Sequence, residues 1–413
     1  MPRRSEASTC VSQVARCGAR GVVASWPDVT STSRRDSSTR IAFLRVAFHV
    51  AVLSGRRARA PLVAAILVAT ACGTSPAHRD AGVSPTDAAL ALDGGAPSDG
   101  GAVDGGTIEP LEPGAWTIVV LPDTQILARS HADVFEAQTA WIAERRDAWR
   151  IAFVTHVGDI VDDNGADQWD VAFRAIRTLD DEVPYVLAPG NHDLGPGGSA
   201  ADRATLMNAY FPVSDYETQS WFGGVFETDH IENSYAVFDA PSEPWLVIAL
   251  EFGPRDAVLA WAREVLERHD GMRTLLVTHA YLYSDDTRYD FAARPDQLWS
   301  PYSYGVASLP GGVNDGEEMF QAIVRDFDQV ELVVSGHVLN DGLGRLTSEQ
   351  RDGGLVHQIL ANYQERELGG AGFLRLMTFD ETGSRVRVGT YSPYLDEWLT
   401  DADNQFELTL DPR

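Results

Sequence analysis

The sequence has 413 residues and a formal net charge of −27, which is distributed unevenly along the chain. Residues 1–71 contain 11 of the 33 basic residues and three acidic ones, so the remainder has 22 basic and 57 acidic side chains and a formal charge of −35. Because like charges repel, so acidic a region excludes non-specific binding to a nucleic-acid backbone or an anionic membrane surface. The same charge favours a soluble protein that attracts metal cations.

The sequence predicts an export signal that ends at Cys72. Arginines at residues 56, 57 and 59 precede an apolar run at residues 60–71, which ends in small residues before the cysteine. A basic segment followed by an apolar segment of this length is typical of a signal peptide, and the cysteine makes it resemble a bacterial lipoprotein signal. The resemblance implies that residues 1–71 are an N-terminal extension and signal segment absent from the mature protein. The alternative is that residues 61–71 form an ordinary buried segment.

If the signal operates, Cys72 is lipidated, and this lipid anchor is the only membrane contact that we expect. The protein is then exported, either as a cell-envelope lipoprotein or to the periplasm or cell exterior. Residues 72–113 are rich in Gly, Asp, Ala and Pro and contain no aromatic residue. Such a segment buries too little apolar surface to offset its chain entropy, so we expect a disordered tether. No second linker of this kind follows, and residues 114–413 are predicted to form one domain.

From Trp116 onward, short apolar runs alternate with longer amphipathic stretches, an order typical of βαβ units around buried sheets. Two packed sheets flanked by helices account for this order. Four strand-like runs close the sequence, and we expect them to complete the second sheet. The predicted helices are 132–148, 166–179, 256–269 and 316–327. The predicted strands are 116–121, 151–157, 185–187, 234–238, 245–251, 274–278, 330–335, 355–361, 373–379, 384–391 and 406–410.

Polar residues of the types that bind metals follow five of these strands directly. In open α/β sheets, ligands bind in the crevice at the carboxyl ends of the strands, so these side chains are expected to converge. The five groups are Asp123 and Gln125; Asp159 and Asp162; Asn191, His192 and Asp193; His279; and His337 and Asn340.

These groups resemble the motifs of the calcineurin-like metallophosphoesterases, which run D-x-H, G-D-x-x-D, G-N-H-D/E, a lone H and G-H-x-H. The match covers about residues 116–341, in the order that the family has, and resembles a subgroup with Gln in place of His in the first motif. It implies an α/β fold for residues 114–413, a four-layer α/β/β/α sandwich of two mixed sheets flanked by helices. It also implies a metal-dependent hydrolase of phosphomonoesters or phosphodiesters that uses a metal-activated hydroxide.

The resemblance implies two divalent ions, iron, manganese or zinc, with Asp159 bridging them. The second-metal ligands would be Asp159, Asn191, His279 and His337, which all match the family pattern. The first-metal ligands would be Asp123, Asp159 and Gln125, where Gln125 replaces a usual His and Leu339 replaces the closing His of G-H-x-H. The first site is therefore expected to bind more weakly, to recruit water, Asn340 or Asp341, or to be empty.

Further roles follow from the same resemblance. His192 would hydrogen-bond the phosphoryl oxygen or protonate the leaving group, Asp193 would orient His192, and Asp162 would fix a ligand histidine. Asn340 and Tyr363 are expected to line the site of a small phosphorylated substrate. The long segment 281–310 is a candidate specificity loop.

Two other functions remain open at this stage. One is a non-catalytic surface lipoprotein that keeps the phosphoesterase fold and binds a metal or another ligand. The intact Asn191, His192 and Asp193 argue against it, because a binding module does not need residues that handle phosphate. The other is a carbohydrate-binding or adhesion role for the strands after residue 355, which the absence of a linker before them disfavours.

Overall fold

The computed structural model describes residues 111–412. The predicted export signal, Cys72 and nearly all of the predicted tether lie outside the described residues. Within 111–412, no helix is long and apolar enough to cross a membrane.

The first sheet has seven strands in the order β13-β12-β11-β1-β2-β3, with β14 also paired to β12. Strands β1, β2 and β3 are parallel, whereas β11 runs antiparallel to β1. All six residues of β1 are buried, as expected for a strand covered on both faces. The strand bounds are β1 Trp116–Leu121, β2 Ile151–His156, β3 Tyr185–Leu187, β11 Leu374–Phe379, β12 Arg385–Ser392, β13 Glu397–Leu399 and β14 Phe406–Thr409.

The second sheet also has seven strands, in the order β4-β5-β6-β7-β8-β10-β9. Strands β6, β7, β8 and β10 are parallel, and the sheet ends in antiparallel strands on both sides. The strand bounds are β4 Phe222–Val225, β5 Ser234–Asp239, β6 Pro244–Ala249, β7 Arg273–Val277, β8 Val330–Ser335, β9 Leu343–Glu349 and β10 Leu355–Ala361.

Helices cover the outer face of each sheet. The apolar faces of α2 and α3 pack on the first sheet, and those of α5 and the segment after α6 pack on the second. The helix bounds are α1 Gln125–Ser130, α2 Ala132–Arg145, α3 Ala166–Ile176, α4 Met207–Tyr210, α5 Asp256–Arg268, α6 Gly316–Met319 and α7 Glu367–Gly370.

The core between the two sheets is apolar and rich in aromatic side chains. Trp116 of β1 stacks on Phe379 of β11 at 4.2 Å between ring centroids, and it meets Trp245 of β6 edge-on at 5.9 Å. Successive side chains of β1 point to opposite faces, so Ile118 and Val120 enter this core while Val119 and Leu121 face the helices. The expected four-layer α/β/β/α sandwich of two mixed sheets is confirmed.

Two expectations about secondary structure are wrong. The C-terminal strands do not all complete the second sheet: β10 joins it, but β11 to β14 extend the first sheet beside β1. An apolar pattern specifies a buried strand but not its partner, since both sheets offer an edge. The predicted helix 316–327 is α-helical only over Gly316–Met319 and continues as a π-helix over Phe320–Val324.

A buried ion pair joins neighbouring strands at the end of the second sheet opposite their carboxyl ends. Arg273 begins β7, is 1% exposed, and donates hydrogen bonds to Glu331 of β8, to Glu243 at 2.6 Å and to the Asp411 carbonyl at 2.8 Å. Because Glu331 is fully buried and Glu243 is partly exposed, the two carboxylates should contribute differently to stability.

Replacing Glu331 with alanine should lower the free energy of unfolding by about 3–5 kcal/mol, because it leaves a buried guanidinium charge without its buried partner. Urea unfolding of the full-length chain measures this loss. The matched control is Glu243→Ala, which removes the more exposed partner of the same guanidinium and should cost less than about 1 kcal/mol. Equal losses in the two variants would contradict this account.

Candidate metal centre

Five loops at the carboxyl ends of parallel strands bring the polar motif residues together. Asp123 follows β1, Asp159 follows β2 and Asn191 follows β3 in the first sheet, while His279 follows β7 and His337 follows β8 in the second. All five residues are at most 6% exposed. The centre therefore lies where the ends of the two sheets meet, as the sequence predicts.

Asp159, His279 and His337 form a buried cluster that is able to hold a metal ion. Each side chain offers one ligand atom, and these atoms all lie within 4.8 Å of one another. The Nε2 atom of His279 is 3.2 Å from Asp159 Oδ1 without forming a well-aligned hydrogen bond. Asp159 itself has a left-handed backbone with φ of 51°, a conformation that an Asp tolerates better than most residues.

Hydrogen bonds to backbone carbonyls set the tautomers of both histidines. The Nδ1 atom of His279 donates to the Val157 carbonyl at 2.9 Å, and the Nε2 atom of His337 donates to the Trp299 carbonyl at 2.7 Å. Since a carbonyl oxygen only accepts, the second nitrogen of each neutral ring keeps a free lone pair. Two imidazole nitrogens are thereby prepared as ligands, in the arrangement that metal-binding histidines usually have.

Two amide side chains present buried oxygens that have no hydrogen-bond partner among the described residues. They are Oδ1 of Asn191 and Oε1 of Gln125, the first residue of α1. A buried polar atom that is left unpaired costs about 1–3 kcal/mol, so each oxygen favours a ligand that it can bind. Both residues occur among the predicted metal ligands, and the donors present suit a divalent cation.

Glycines in the motifs allow the loops to approach closely. A Cβ atom at Gly190 would lie 2.1 Å from Asp159 Oδ1, and one at Gly336 would lie 2.1 Å from Asp123 Oδ1. These separations are far below van der Waals contact. The G-N and G-H motifs therefore need glycine because a carboxylate of the centre occupies the space of a side chain.

Burial and mutual charge strongly perturb the ionisable groups of the centre. Burial raises the pKa of Asp123 to about 8 and, together with the charge of His279, lowers the pKa of His337 to about 3. Burial opposes protonation of His279, but the carboxylates of Asp159 and then Asp123 raise its pKa to about 9. Burial likewise opposes ionisation of Asp159, yet His279 holds the pKa of that carboxyl below its ordinary value. These shifts favour protons on Asp123 and His279, and a cation bound at the centre would displace those protons.

Asn362 contacts the centre, and the sequence did not identify it as a partner of Asp123. Its Nδ2 donates to Asp123 Oδ2 at 2.9 Å, and its Oδ1 accepts from the Gln364 amide at 2.9 Å. The same Asp123 oxygen accepts from the His337 amide at 3.0 Å. Asn362 comes 239 residues after Asp123 and matches no motif, so the one sequence signal was its place directly after the strand β10.

A cavity of about 290 Å³ adjoins the centre, lined by residues of the segments 338–343, 362–366 and 401–404. Leu339 and Asn340 line it, and Asn340 donates to Ser284 Oγ at 3.1 Å. Tyr363 also borders the cavity, but its hydroxyl oxygen bonds to Thr390 at 3.0 Å and to Asn404 at 3.1 Å, within the protein. Tyr363 thus borders the cavity while its hydroxyl bonds within the protein, and both Asn340 and Tyr363 remain predicted lining residues.

The Asp193 carboxylate does not contact the His192 ring, so the expectation that it orients this ring is wrong. Its oxygens accept from the backbone amides of Gly190 at 2.7 Å, Val161 at 2.9 Å and Ile160 at 3.1 Å. Asp193 thus joins the loops after β2 and β3. It is a positioning residue in this structure.

The ring of His192 is oriented instead by the Asp162 backbone. Its Nδ1 donates to the Asp162 carbonyl at 2.6 Å, and the Asp162 carboxylate pairs with Arg129 at 2.6 Å. Asp162 therefore holds His192 and no ligand histidine, because the Val157 and Trp299 carbonyls already fix those rings. Burial disfavours the protonated ring of His192, but the negative charge of Asp159 raises the pKa of His192 above its ordinary value.

The predicted specificity loop 281–310 is built into the centre. Trp299 has a left-handed backbone with φ of 61°, and its carbonyl accepts from His337. The ring of Tyr304 lies 6.1 Å from the His337 ring and 5.1 Å from that of Phe252. This segment therefore supports the ring of His337, and its role in specificity stays a prediction.

A chain of hydrogen bonds ties the loop after β1 to the loop after β2. The Gly158 amide donates to His156 Nδ1 at 3.1 Å, so His156 Nε2 carries the proton and donates to Thr124 Oγ1 at 2.9 Å. The Thr124 hydroxyl then donates to the Ile160 carbonyl at 3.0 Å. Burial, followed by the charge of His279, lowers the pKa of His156 to about 3 and keeps it neutral.

Replacing Thr124 with valine should lower the free energy of unfolding by at least about 1–3 kcal/mol. The change preserves shape but leaves the buried His156 N–H and the Ile160 carbonyl unpaired. Urea unfolding measures the effect, and Thr382→Val is the control, since the Thr382 hydroxyl bonds to Asp380 in an exposed turn. If Thr124→Val unfolds as the parent does, this chain of hydrogen bonds does not stabilise the loops.

The profile of the calcineurin-like phosphoesterase family matches residues 117–341. The uncharacterized protein YvnB of Bacillus subtilis (strain 168) is 33% identical over 311 residues, which cover 72% of this chain and 22% of YvnB. The probable inactive purple acid phosphatase 24 of Arabidopsis thaliana is 29% identical over 133 residues, which cover 25% of this chain and 22% of that protein. This chain thus spans about a fifth of the length of these relatives.

Solved structures that align with this chain include purple acid phosphatase PPD1 from seeds of yellow lupin (Lupinus luteus). It aligns with a TM-score of 0.43 and 14% identity over 71% of this chain and 54% of its own. GAP50 of Plasmodium, an anchor in the inner membrane complex, aligns with a TM-score of 0.41 and 10% identity over 72% of this chain and 89% of its own.

Proposed function

Because this chain belongs to the calcineurin-like phosphoesterase family, we propose that it hydrolyses phosphomonoesters or phosphodiesters with the help of divalent metal ions. The observation that carries this proposal is the buried cluster of Asp159, His279 and His337, with the unpaired oxygen of Asn191. Imidazole nitrogens combined with carboxylate and amide oxygens suit iron, manganese or zinc better than calcium.

Asp159, Asn191, His279 and His337 would hold a transition metal, and the family pattern assigns Asp123 and Gln125, with the shared Asp159, to the other metal. A divalent cation held there supplies Lewis-acid polarisation of the phosphoryl group and lowers the pKa of a coordinated water. Because one nitrogen of each histidine ring donates to a backbone carbonyl, the lone pair of the other nitrogen stays available for the cation. The buried position of all four side chains excludes competing bulk water from the ligand atoms.

His192 is the residue proposed to act on the substrate directly. Its Nδ1 proton is committed to the Asp162 carbonyl, and its side chain is 34% exposed, so Nε2 is the atom available to a substrate. In the protonated ring, Nε2 donates to a phosphoryl oxygen or to the oxygen of the leaving group. Asp193 acts through position only, because it holds the loop that carries Asn191 and His192.

We propose in addition that the substrate is small and phosphorylated and is met outside the cytoplasm. The support is the pattern of residues 56–72 and the acidic remainder of the chain. Cys72→Ser should release the expressed protein from the membrane fraction if Cys72 carries a lipid anchor. A variant that stays with the membrane would contradict the anchor without affecting the proposed chemistry.

The full-length protein tests the hydrolase function with p-nitrophenyl phosphate and bis(p-nitrophenyl) phosphate, before and after chelation. We expect hydrolysis of at least one ester, its loss on metal removal and its return when zinc, manganese or iron is added. A protein that binds metal yet hydrolyses neither ester would overturn the proposal and favour the non-catalytic binding function.

A further inference from the structure

We infer that the centre is chemically asymmetric: it retains one transition-metal ion, and its first position, at Asp123 and Gln125, accepts only a hard cation of the Mg²⁺ type. This inference rests on the proposed function and concerns the metals that the same site selects. It differs from a pair of equivalent transition-metal positions, and it follows from the residues that replace imidazoles in this chain.

The two positions have different donor atoms. The second position has two imidazole nitrogens, from His279 and His337, together with oxygens of Asp159 and Asn191. At the first position, the family pattern places His residues where this chain has Gln125 and Leu339. Leu339 has no donor atom, and neither histidine nor cysteine lines the 290 Å³ cavity that it borders. The first position is left with oxygen donors only.

Gln125 presents a buried side-chain oxygen that is able to bind a cation. Its side chain is 4% exposed, and Oε1 has no hydrogen-bond partner among residues 111–412. A leucine in its place would fill similar space without that desolvated oxygen, so the amide is costly unless a cation or another donor pairs with it. An amide oxygen is a hard ligand, typical of magnesium and calcium sites and a poor match for zinc.

Asn362 limits how Asp123 can bind a cation. Asp123 Oδ2 accepts from both the Asn362 side chain at 2.9 Å and the His337 amide at 3.0 Å. Oδ1 has only a longer contact to the same amide, at 3.3 Å, and is the oxygen left to bind. Asp123 therefore serves as a monodentate ligand.

By the family pattern the first position then has three protein oxygens, one each from Asp123, Gln125 and the shared Asp159, and the adjoining cavity adds only the oxygen donors of Asn340 and Asp341. Mg²⁺ keeps several of its waters and binds proteins through one or two carboxylates, so a site with few oxygen donors suits it. Zinc and cobalt prefer nitrogen or sulfur donors and find them only at the second position.

The test is a metal titration of the full-length protein after chelation. With Zn²⁺ or Co²⁺ followed by dialysis, elemental analysis should find one equivalent per chain. Calorimetry of this one-zinc protein with Mg²⁺ should then show a second binding event. Gln125→Leu should weaken that event at least tenfold and keep the zinc, whereas the remote control Gln219→Leu should leave both unchanged.

Adding nitrogen donors to the first position should have the complementary effect of letting it bind zinc. The double variant Gln125→His, Leu339→His should retain two equivalents of zinc, because it restores both imidazoles of the family pattern. Two zinc ions in the parent, no Mg²⁺ event in the parent, or an Mg²⁺ event unchanged in Gln125→Leu would each overturn the asymmetry. Retained zinc shows that a variant is folded. These counts are independent of turnover, so a protein with the predicted metals that hydrolyses no ester would overturn the proposed function alone.

Discussion

Replacing Asp159 with asparagine should remove the bound transition metal and lower kcat for ester hydrolysis by at least about 10³-fold. Asp159 is the one carboxylate of the ligand cluster, and it lies 3.2 Å from the Nε2 atom of His279. Asparagine preserves its size and tolerates the left-handed backbone at this position, so the loop should keep its shape. What changes is the negative charge that binds the cation, and Lewis-acid catalysis is worth several kcal/mol.

The matched control for this variant is Asp163→Asn. Asp163 is in the same loop, but it is exposed and accepts from the Gly165 amide at 2.8 Å, as a turn residue does. Asp163→Asn makes the same chemical change as Asp159→Asn, but it should leave the metal content and kcat unaltered. Elemental analysis and steady-state kinetics measure both variants. If Asp159→Asn keeps its metal and its activity, Asp159 is not a ligand and the centre has been wrongly placed.

Replacing His192 with glutamine should lower kcat by about 10²–10⁴-fold without loss of metal. The side chain offers one nitrogen, Nε2, to the substrate, since Nδ1 is held by the Asp162 carbonyl. The His192 amide, which donates to Asp159 Oδ1 at 2.9 Å, remains in the variant, so the ligand loop should be preserved. His230→Gln is the control, because the His230 side chain is exposed and, among the described residues, contacts Asn208 and Glu232 remote from the ligand cluster.

The leaving group distinguishes the two roles proposed for His192. If it protonates the leaving oxygen, the variant should lose more activity on alkyl esters than on p-nitrophenyl esters, whose leaving group needs no proton. If it donates to a phosphoryl oxygen, both losses should be similar. A kcat reduced less than about tenfold on both substrates would contradict a direct role.

The sequence predicts which polar residues converge at the centre because each lies just after a strand. An apolar run gives the strand, and the residue after it is placed at the carboxyl edge by geometry alone. Asp123, Asp159 and His337 were located in this way. The motif glycines belong to the same local signal, since Gly190 and Gly336 each leave room for a neighbouring carboxylate.

What the sequence could not predict depends on contacts between distant segments. Asn362 directly follows β10, which places it at the end of a strand, but its contact with Asp123 joins residues 239 positions apart and is not visible in the local pattern. The role of Asp193 was mistaken because adjacency to His192 suggested a contact, whereas its carboxylate bonds to amides of another loop. The local pattern likewise could not show which sheet the strands β11 to β14 enter, because strand pairing depends on packing in the whole core.

The most direct test of the account is the position of a metal in a crystal of the full-length protein grown with zinc, located by anomalous scattering. We predict a strong peak bounded by Asp159 Oδ, Asn191 Oδ1, His279 Nε2 and His337 Nδ1, with zinc to nitrogen distances of about 2.0–2.1 Å. No anomalous peak among these four side chains, or zinc bound only elsewhere on the chain, would contradict the metal centre and the hydrolase function built on it.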